Sequence, residues 1–347
     1  MWANLTIPLS VNSTLWLRCL SGYNVPTYIL ISGIGLELGG KALNLRTFWK
    51  SRLLTIILPY IFWCLVTYIY LYFNWDIKQF LSYQAAHPTD FVYSLVRPIF
   101  DSSYQLDWHF YFVPLILLLY LVYPLLRKAV KRFTSQTLII LFAFSVVIGY
   151  IGYMQIFGIT TIVTGFNLGV FSSMFMFSLG LSLNRERLTL IFTVARKIRV
   201  PLCVLAAVMV LLQMYLGYSI GLGSIGDPIS SALYVLVMCL IICGFATPKE
   251  GKQQSAAARR FYSFVAKHSF TTYLIHLLVL RLLWQHTPLG AYSPFTRNPE
   301  ASQAGQWVAY FATIIISVTV AALIDNGRKL LSKLLRKAFL RGSAKVR

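Results

Sequence analysis

The stretch Phe48–Trp63, FWKSRLLTIILPYIFW, decides how this chain folds. It begins with a basic collar that contains Lys50 and Arg52, and it continues directly into an apolar segment that carries Pro59. Cations beside an apolar segment fix the side of a bilayer on which that end of the segment lies. The stretch therefore predicts a membrane-crossing helix with a permanent cation at one bilayer surface.

The rest of the chain has the composition of an integral membrane protein. Its 347 residues are 57% hydrophobic and 12% charged, which is roughly half the charged share of a soluble domain. Apolar runs of about 20 residues recur, and each is long enough to cross a hydrocarbon core of about 30 Å. The runs are 24–39, 53–73, 108–126, 136–156, 166–183, 199–218, 229–246, 268–286 and 306–325. The sequence predicts an all-α integral membrane protein with about nine transmembrane helices.

The net charge of +21 follows the loops of this predicted bundle. Cations cluster in alternate connections and form no soluble basic domain, so the pattern excludes the usual nucleic-acid-binding modules. The positive-inside rule assigns the cation-rich segments to the cytoplasm, which places the N-terminus outside and the C-terminus inside. These segments lie at 41–52, 127–132, 185–199, 249–267 and 328–347.

This topology also predicts the domain organisation. Residues 1–326 are predicted to form a single polytopic membrane domain. Residues 327–347 are predicted to form a basic tail, which either lies as an amphipathic helix on the inner leaflet or is solvated. An odd number of helices with an external N-terminus and no signal peptide predicts a further helix upstream of Met1. No cysteine or histidine pattern has metal-ligand spacing, so no metal site is predicted.

Ionisable residues near the ends of the apolar runs are the candidates for binding, because charge at membrane depth is costly. Arg52, with Lys50 beside it, suits a phosphate-bearing ligand such as a nucleotide or coenzyme A. The alternative is that Arg52 only anchors the helix end.

Two histidines are the candidates for catalysis. His109 begins the third run on the external side and suits a general base for a hydroxyl acceptor, although its aromatic neighbours also fit an interfacial belt. His276 lies in the middle of a run, three residues after Tyr273 and on the same helix face, and a buried structural histidine is the alternative. No GxSxG elbow, Walker loop or HExxH motif is present to support soluble hydrolase or nucleotidase chemistry.

Four segments resemble, in order, motifs of the acyltransferase-3 family of membrane O-acyltransferases. They are Val25–Gly33 (VPTYILISG), Phe48–Trp63, Trp108–Leu126 and Ser269–His276 (SFTTYLIH). The resemblance implies a bundle of about ten helices in the bacterial cytoplasmic membrane. Such enzymes bind no resident cofactor and move an acyl group, often acetyl, from acyl-CoA to a hydroxyl of a cell-envelope glycan, lipid-linked sugar or small sugar.

The resemblance also implies roles for particular residues. Arg52 matches the first arginine of the family's RxxR pair, which is proposed to act on the donor, while the second arginine is replaced by Thr55. The family's first helix, with its catalytic arginine and histidine, has no counterpart here, and His109 is the substitute base within this chain. A transporter or flippase for a lipid-linked sugar and an inactive paralogue in a polysaccharide assembly complex remain alternative functions.

Overall fold

The computed structural model describes residues 24–39, 44–100, 110, 112–154, 169–220, 228–246, 255–286 and 303–344. All regular structure within these residues is helical, as the sequence predicted. The helices are α1 (Asn24–Leu38), α2 (Leu45–Arg52), a π-helix (Leu53–Ile57), α3 (Leu58–Phe73), α4 (Ile77–Ala86), α5 (Asp90–Phe100), α6 (Phe112–Arg132), α7 (Thr134–Met154), α8 (Gly169–Ser182), α9 (Arg185–Lys197), α10 (Arg199–Ile220), α11 (Pro228–Ala246), α12 (Ala256–His286) and α13 (Gln303–Ala344). They belong to two compact units, one with α1 to α11 and one with α12 and α13.

Every apolar run of the sequence contains a helix of the structure. By length and composition, three described segments can cross a membrane: Leu45–Phe73, Phe112–Arg132 and Phe311–Leu330. Shorter apolar helices lie within α1, α7, α8, α10 and α11. The all-α membrane character is therefore confirmed, while the number of crossing helices and their orientation stay predictions. The division at residue 326 also stays a prediction, and α13 continues through it to Ala344.

The basic stretch forms part of one 29-residue segment, Leu45–Phe73, that is interrupted by the π-helix. Proline lacks an N–H, and its ring crowds the carbonyl four residues earlier, so Pro59 disturbs the α-helical pattern just before α3. The wider turn accommodates this, because the Leu58 N–H donates to the carbonyl of Leu53, five residues back. The extra residue rotates Arg52 by about 100° relative to α3.

Three short helices, α4, α5 and α9, lie in segments that the hydrophobic pattern had left as connections. Asn74 and Trp75, both with positive φ, end the long segment before α4. The carboxylate of Asp76 then caps α4 by accepting from the Gln79 N–H at 2.9 Å. The Asn184 side chain caps α9 in the same way. Polar capping residues, rather than apolar content, therefore start two of these helices.

Close backbone contact joins α1 and α8 inside the larger unit. A Cβ atom at Gly33 would overlap the carbonyl oxygen of Phe177, and a Cβ at Gly180 would overlap that of Leu30. Small residues of this kind let membrane helices approach closely. The contact fixes α1 beside the buried core residue Phe177 and sets the position of the polar residues at the end of α1.

Candidate functional site

Arg52, at the end of α2, packs against two aromatic rings. Its guanidinium carbon is 5.1 Å from the ring centroid of Phe48 and 4.9 Å from that of Tyr120. The two rings are nearly perpendicular, at 80°. Cation–π attraction to the two rings holds the guanidinium in place. Its Nε atom is buried and has no hydrogen-bond partner among the described residues.

The rings around Arg52 are themselves fixed. The Tyr120 hydroxyl is 2.8 Å from Ser32 Oγ on α1, and the buried Tyr123 ring lies 5.4 Å from Phe48. Ser32, Phe48 and Tyr120 belong to three of the four segments that carry the family resemblance. We call Ser32, Phe48, Arg52, Tyr120 and Tyr123 the Arg52 site.

Further charges lie beside the Arg52 site. Glu37 Oε2 is 3.8 Å from Arg127 Nε, and Glu37 Oε1 is 3.4 Å from Lys131 Nζ. Tyr123 lies within electrostatic reach of Arg52, Glu37 and Arg127, which places these groups in one neighbourhood. Three cations against one carboxylate give this region a positive balance suited to a bound anion.

Lys50 has a different environment from Arg52. It is exposed on α2, and residues two apart on a helix do not face one another. Lys50 can therefore contribute to donor binding only through a part of the ligand that extends away from the Arg52 site, and this contribution stays a prediction.

His276 belongs to α12, in the second unit. Its Nδ1 is 2.6 Å from the backbone carbonyl oxygen of Tyr273, and its ring is half-buried. Because a carbonyl only accepts, Nδ1 carries the hydrogen, and Nε2 is the basic nitrogen of the neutral ring. This tautomer is compatible with a general base. His109 lies outside the described residues, and the catalytic roles of both histidines stay predictions.

The structure also contains a buried polar cluster that the sequence analysis did not identify. His268 Nδ1 is 2.7 Å from Asp325 Oδ2, and the Thr271 hydroxyl donates to Asp325 Oδ1 at 2.9 Å. His268 is 1% exposed and Asp325 is 6% exposed. Both carboxylate oxygens therefore have partners, and α12 is joined to α13. An aspartate at the end of an apolar run was the available signal, since such a residue needs a partner.

The chain matches the acyltransferase-3 family, described as an acyltransferase domain, over residues 2–325. With its apolar helices, this match defines the class as a membrane acyltransferase. The chain belongs to the acyltransferase-3 family. Comparisons with curated proteins and with solved structures gave no match.

Proposed function

We propose that the protein transfers an acetyl or similar acyl group from acyl-CoA to a hydroxyl of a cell-surface polysaccharide, glycolipid or sugar. The proposal includes the location of the protein, which is the bacterial cytoplasmic membrane with several crossings of the chain. The family supports acyl transfer. The observation that carries the choice of donor is the fixed, partly buried guanidinium of Arg52.

Arg52 has the properties that a phosphate-bearing donor requires. Guanidinium groups pair with phosphate through two parallel N–H bonds. The Arg52 guanidinium is held against the rings of Phe48 and Tyr120. A buried N–H without a partner costs about 1–3 kcal/mol. A phosphate oxygen of coenzyme A that accepts from Nε removes this cost. Arg127 and Lys131 add positive charge for the remaining phosphates.

The chemical step needs a base and a leaving group. In our mechanism, the acceptor hydroxyl attacks the thioester carbonyl while a histidine, His109 or His276, takes the hydroxyl proton. The tetrahedral intermediate then expels the coenzyme A thiolate, which takes up the proton, and the acyl group stays on the acceptor oxygen. The Nδ1–H tautomer of His276 leaves Nε2 suitable for this step.

Acetyl-CoA binding tests the donor site. We expect Arg52→Ala to raise the Kd for acetyl-CoA about 10- to 100-fold, because a charged hydrogen bond contributes about 1.5–3 kcal/mol. Arg46→Ala is the matched control, since Arg46 is an exposed arginine on the same helix, and it should change the Kd less than about twofold. Calorimetry with purified protein in nanodiscs makes the comparison. Equal Kd values for Arg52→Ala and the wild type would contradict the donor site.

Transfer of label from acetyl-CoA to envelope glycan tests the reaction itself. We expect the double variant His109→Ala/His276→Ala to transfer about 100-fold more slowly, since a general base contributes at least about that factor. Its Kd for acetyl-CoA should stay unchanged. Normal transfer by this variant would exclude both His109 and His276 as the base. No transfer by the wild type, with or without donor binding, would favour the flippase or inactive-paralogue alternative.

A further inference from the structure

A cavity lies at the end of the Leu45–Phe73 segment that is far from Arg52. It is an open cleft with a volume of about 600 Å³, and residues from the end of α3, from α4 and from α5 line it. Five aromatic rings and three polar side chains line it. This volume and this mixed lining are typical of small-ligand sites, which measure about 300–1,000 Å³. We call this cavity the aromatic pocket.

The aromatic pocket and the Arg52 site lie at opposite ends of one membrane-crossing segment. Tyr72 follows Arg52 by 20 residues of nearly continuous helix, which corresponds to about 30 Å at a rise of about 1.5 Å per residue. That distance equals the thickness of a hydrocarbon core, so the proposed mechanism requires the thioester arm of the donor and the acceptor hydroxyl to meet between the two sites. If the Arg52 end is cytoplasmic, as the charge pattern predicts, the pocket opens on the external side.

The aromatic lining forms a fixed base with exposed rings above it. Tyr68 and Phe73 are buried, and their ring centroids are 5.8 Å apart. Tyr72 is 59% exposed, and its ring centroid lies 4.8 Å from that of Tyr68. Tyr93 is 54% exposed. The flat C–H face of a sugar ring packs on exposed aromatic rings held in this way, and the tyrosine hydroxyls reach its polar edge.

A carboxylate gives the aromatic pocket its polarity. Tyr83 donates to Asp90 Oδ2 at 2.7 Å, and this bond raises the pKa of Tyr83 above its usual value. An ionised carboxylate has about four acceptor positions, so Asp90 can also accept from sugar hydroxyls. The Gln79 side chain adds an amide to the lining. The negative charge disfavours uronic acids and other anionic sugars.

An interfacial aromatic belt is the competing explanation for exposed tyrosines near a membrane surface. A belt needs rings that face the lipid headgroups, but it does not need rings that line a cavity together with a carboxylate. The contact between Tyr83 and Asp90 inside the cavity therefore favours a ligand. We propose that the aromatic pocket binds a neutral, hydroxyl-rich sugar unit of the acceptor glycan. This assignment rests on the proposed function in one respect, which is that the bound sugar belongs to the acceptor.

Binding of purified full-length protein in nanodiscs to a printed array of neutral and uronic-acid oligosaccharides tests this assignment. We expect the wild type to bind neutral glycans and to reject uronic acids. Tyr72→Ala should weaken neutral binding at least about tenfold, while Asp90→Asn should admit uronic acids, because the repelling charge is removed. Tyr262→Ala, at a tyrosine of α12 that is 54% exposed, should change binding less than about twofold.

Acetyl-CoA binding by the same preparations reports whether each variant is folded and separates the two proposals. Loss of neutral-glycan binding in Tyr72→Ala with an unchanged Kd for acetyl-CoA would support the pocket. The assignment is overturned if the wild type binds no neutral glycan, or if Tyr72→Ala and Asp90→Asn keep the wild-type pattern. If the wild type binds neutral glycans through Tyr72 but transfers no acetyl group, the proposed function fails and the pocket stands.

Discussion

Replacing Asp325 by alanine is expected to destabilise the α12–α13 unit by about 3–5 kcal/mol. This is the cost of leaving the buried His268 without the carboxylate to which it is bonded. His268 is almost completely buried and Thr271 is half-buried, and both direct their side chains at this carboxylate. Water does not reach His268 easily, so the lost bond is not replaced. The melting temperature of the protein in detergent should fall by about 5–10 °C.

Asn326→Ala is the matched control, because Asn326 is the exposed neighbour of Asp325 on the same helix. It should lower the melting temperature by no more than about 1–2 °C. The double variant His268→Ala/Asp325→Ala should lose clearly less melting temperature than the two single variants lose in sum, since the partners depend on each other. Additive losses, or equal melting of Asp325→Ala and Asn326→Ala, would show that the cluster contributes no coupled stability.

The helical fold was predictable because apolar content is a local property. Each apolar run that the sequence showed contains a helix, since a membrane-crossing segment must satisfy its own backbone hydrogen bonds. The helices α4 and α9 were missed because they are short and lack long apolar runs. Their starting signals, Asp76 and Asn184, are present in the sequence, but a single capping residue occurs too often to predict a helix alone.

The candidate site was predictable only in part. Arg52 stood out because a cation beside an apolar run is visible locally, but its aromatic partner Tyr120 lies in another helix. The bond between Ser32 and Tyr120 joins residues 88 apart, and that between His268 and Asp325 joins residues 57 apart. A single sequence contains no record of such pairings. The family resemblance came nearest, since it selected the segments that meet at Arg52 without giving their contacts.

Replacing Gly33 by alanine is expected to cost about 3 kcal/mol, the upper part of the usual range for overpacking. The added Cβ meets the Phe177 carbonyl, which belongs to a helix backbone and cannot rotate away as a side chain does. Gly180 makes the reciprocal contact, so α1 and α8 must separate. Ser32 is the residue next to Gly33, and its bond to Tyr120 should break as α1 moves. Donor binding should therefore weaken together with stability.

Gly35→Ala provides the same chemical change on the same helix without the steric conflict. A Cβ at Gly35 has no atom within 4 Å among the described residues, and alanine favours a helix by up to about 1 kcal/mol relative to glycine. In Gly33→Ala the melting temperature should fall and the Kd for acetyl-CoA should rise. In Gly35→Ala the melting temperature should stay level or rise, and the Kd should stay level or fall. A loss of stability in Gly33→Ala with an unchanged Kd would mean that the α1–α8 contact holds the fold but does not position the Arg52 site. Identical behaviour of the two variants would mean that α1 and α8 are not in close backbone contact.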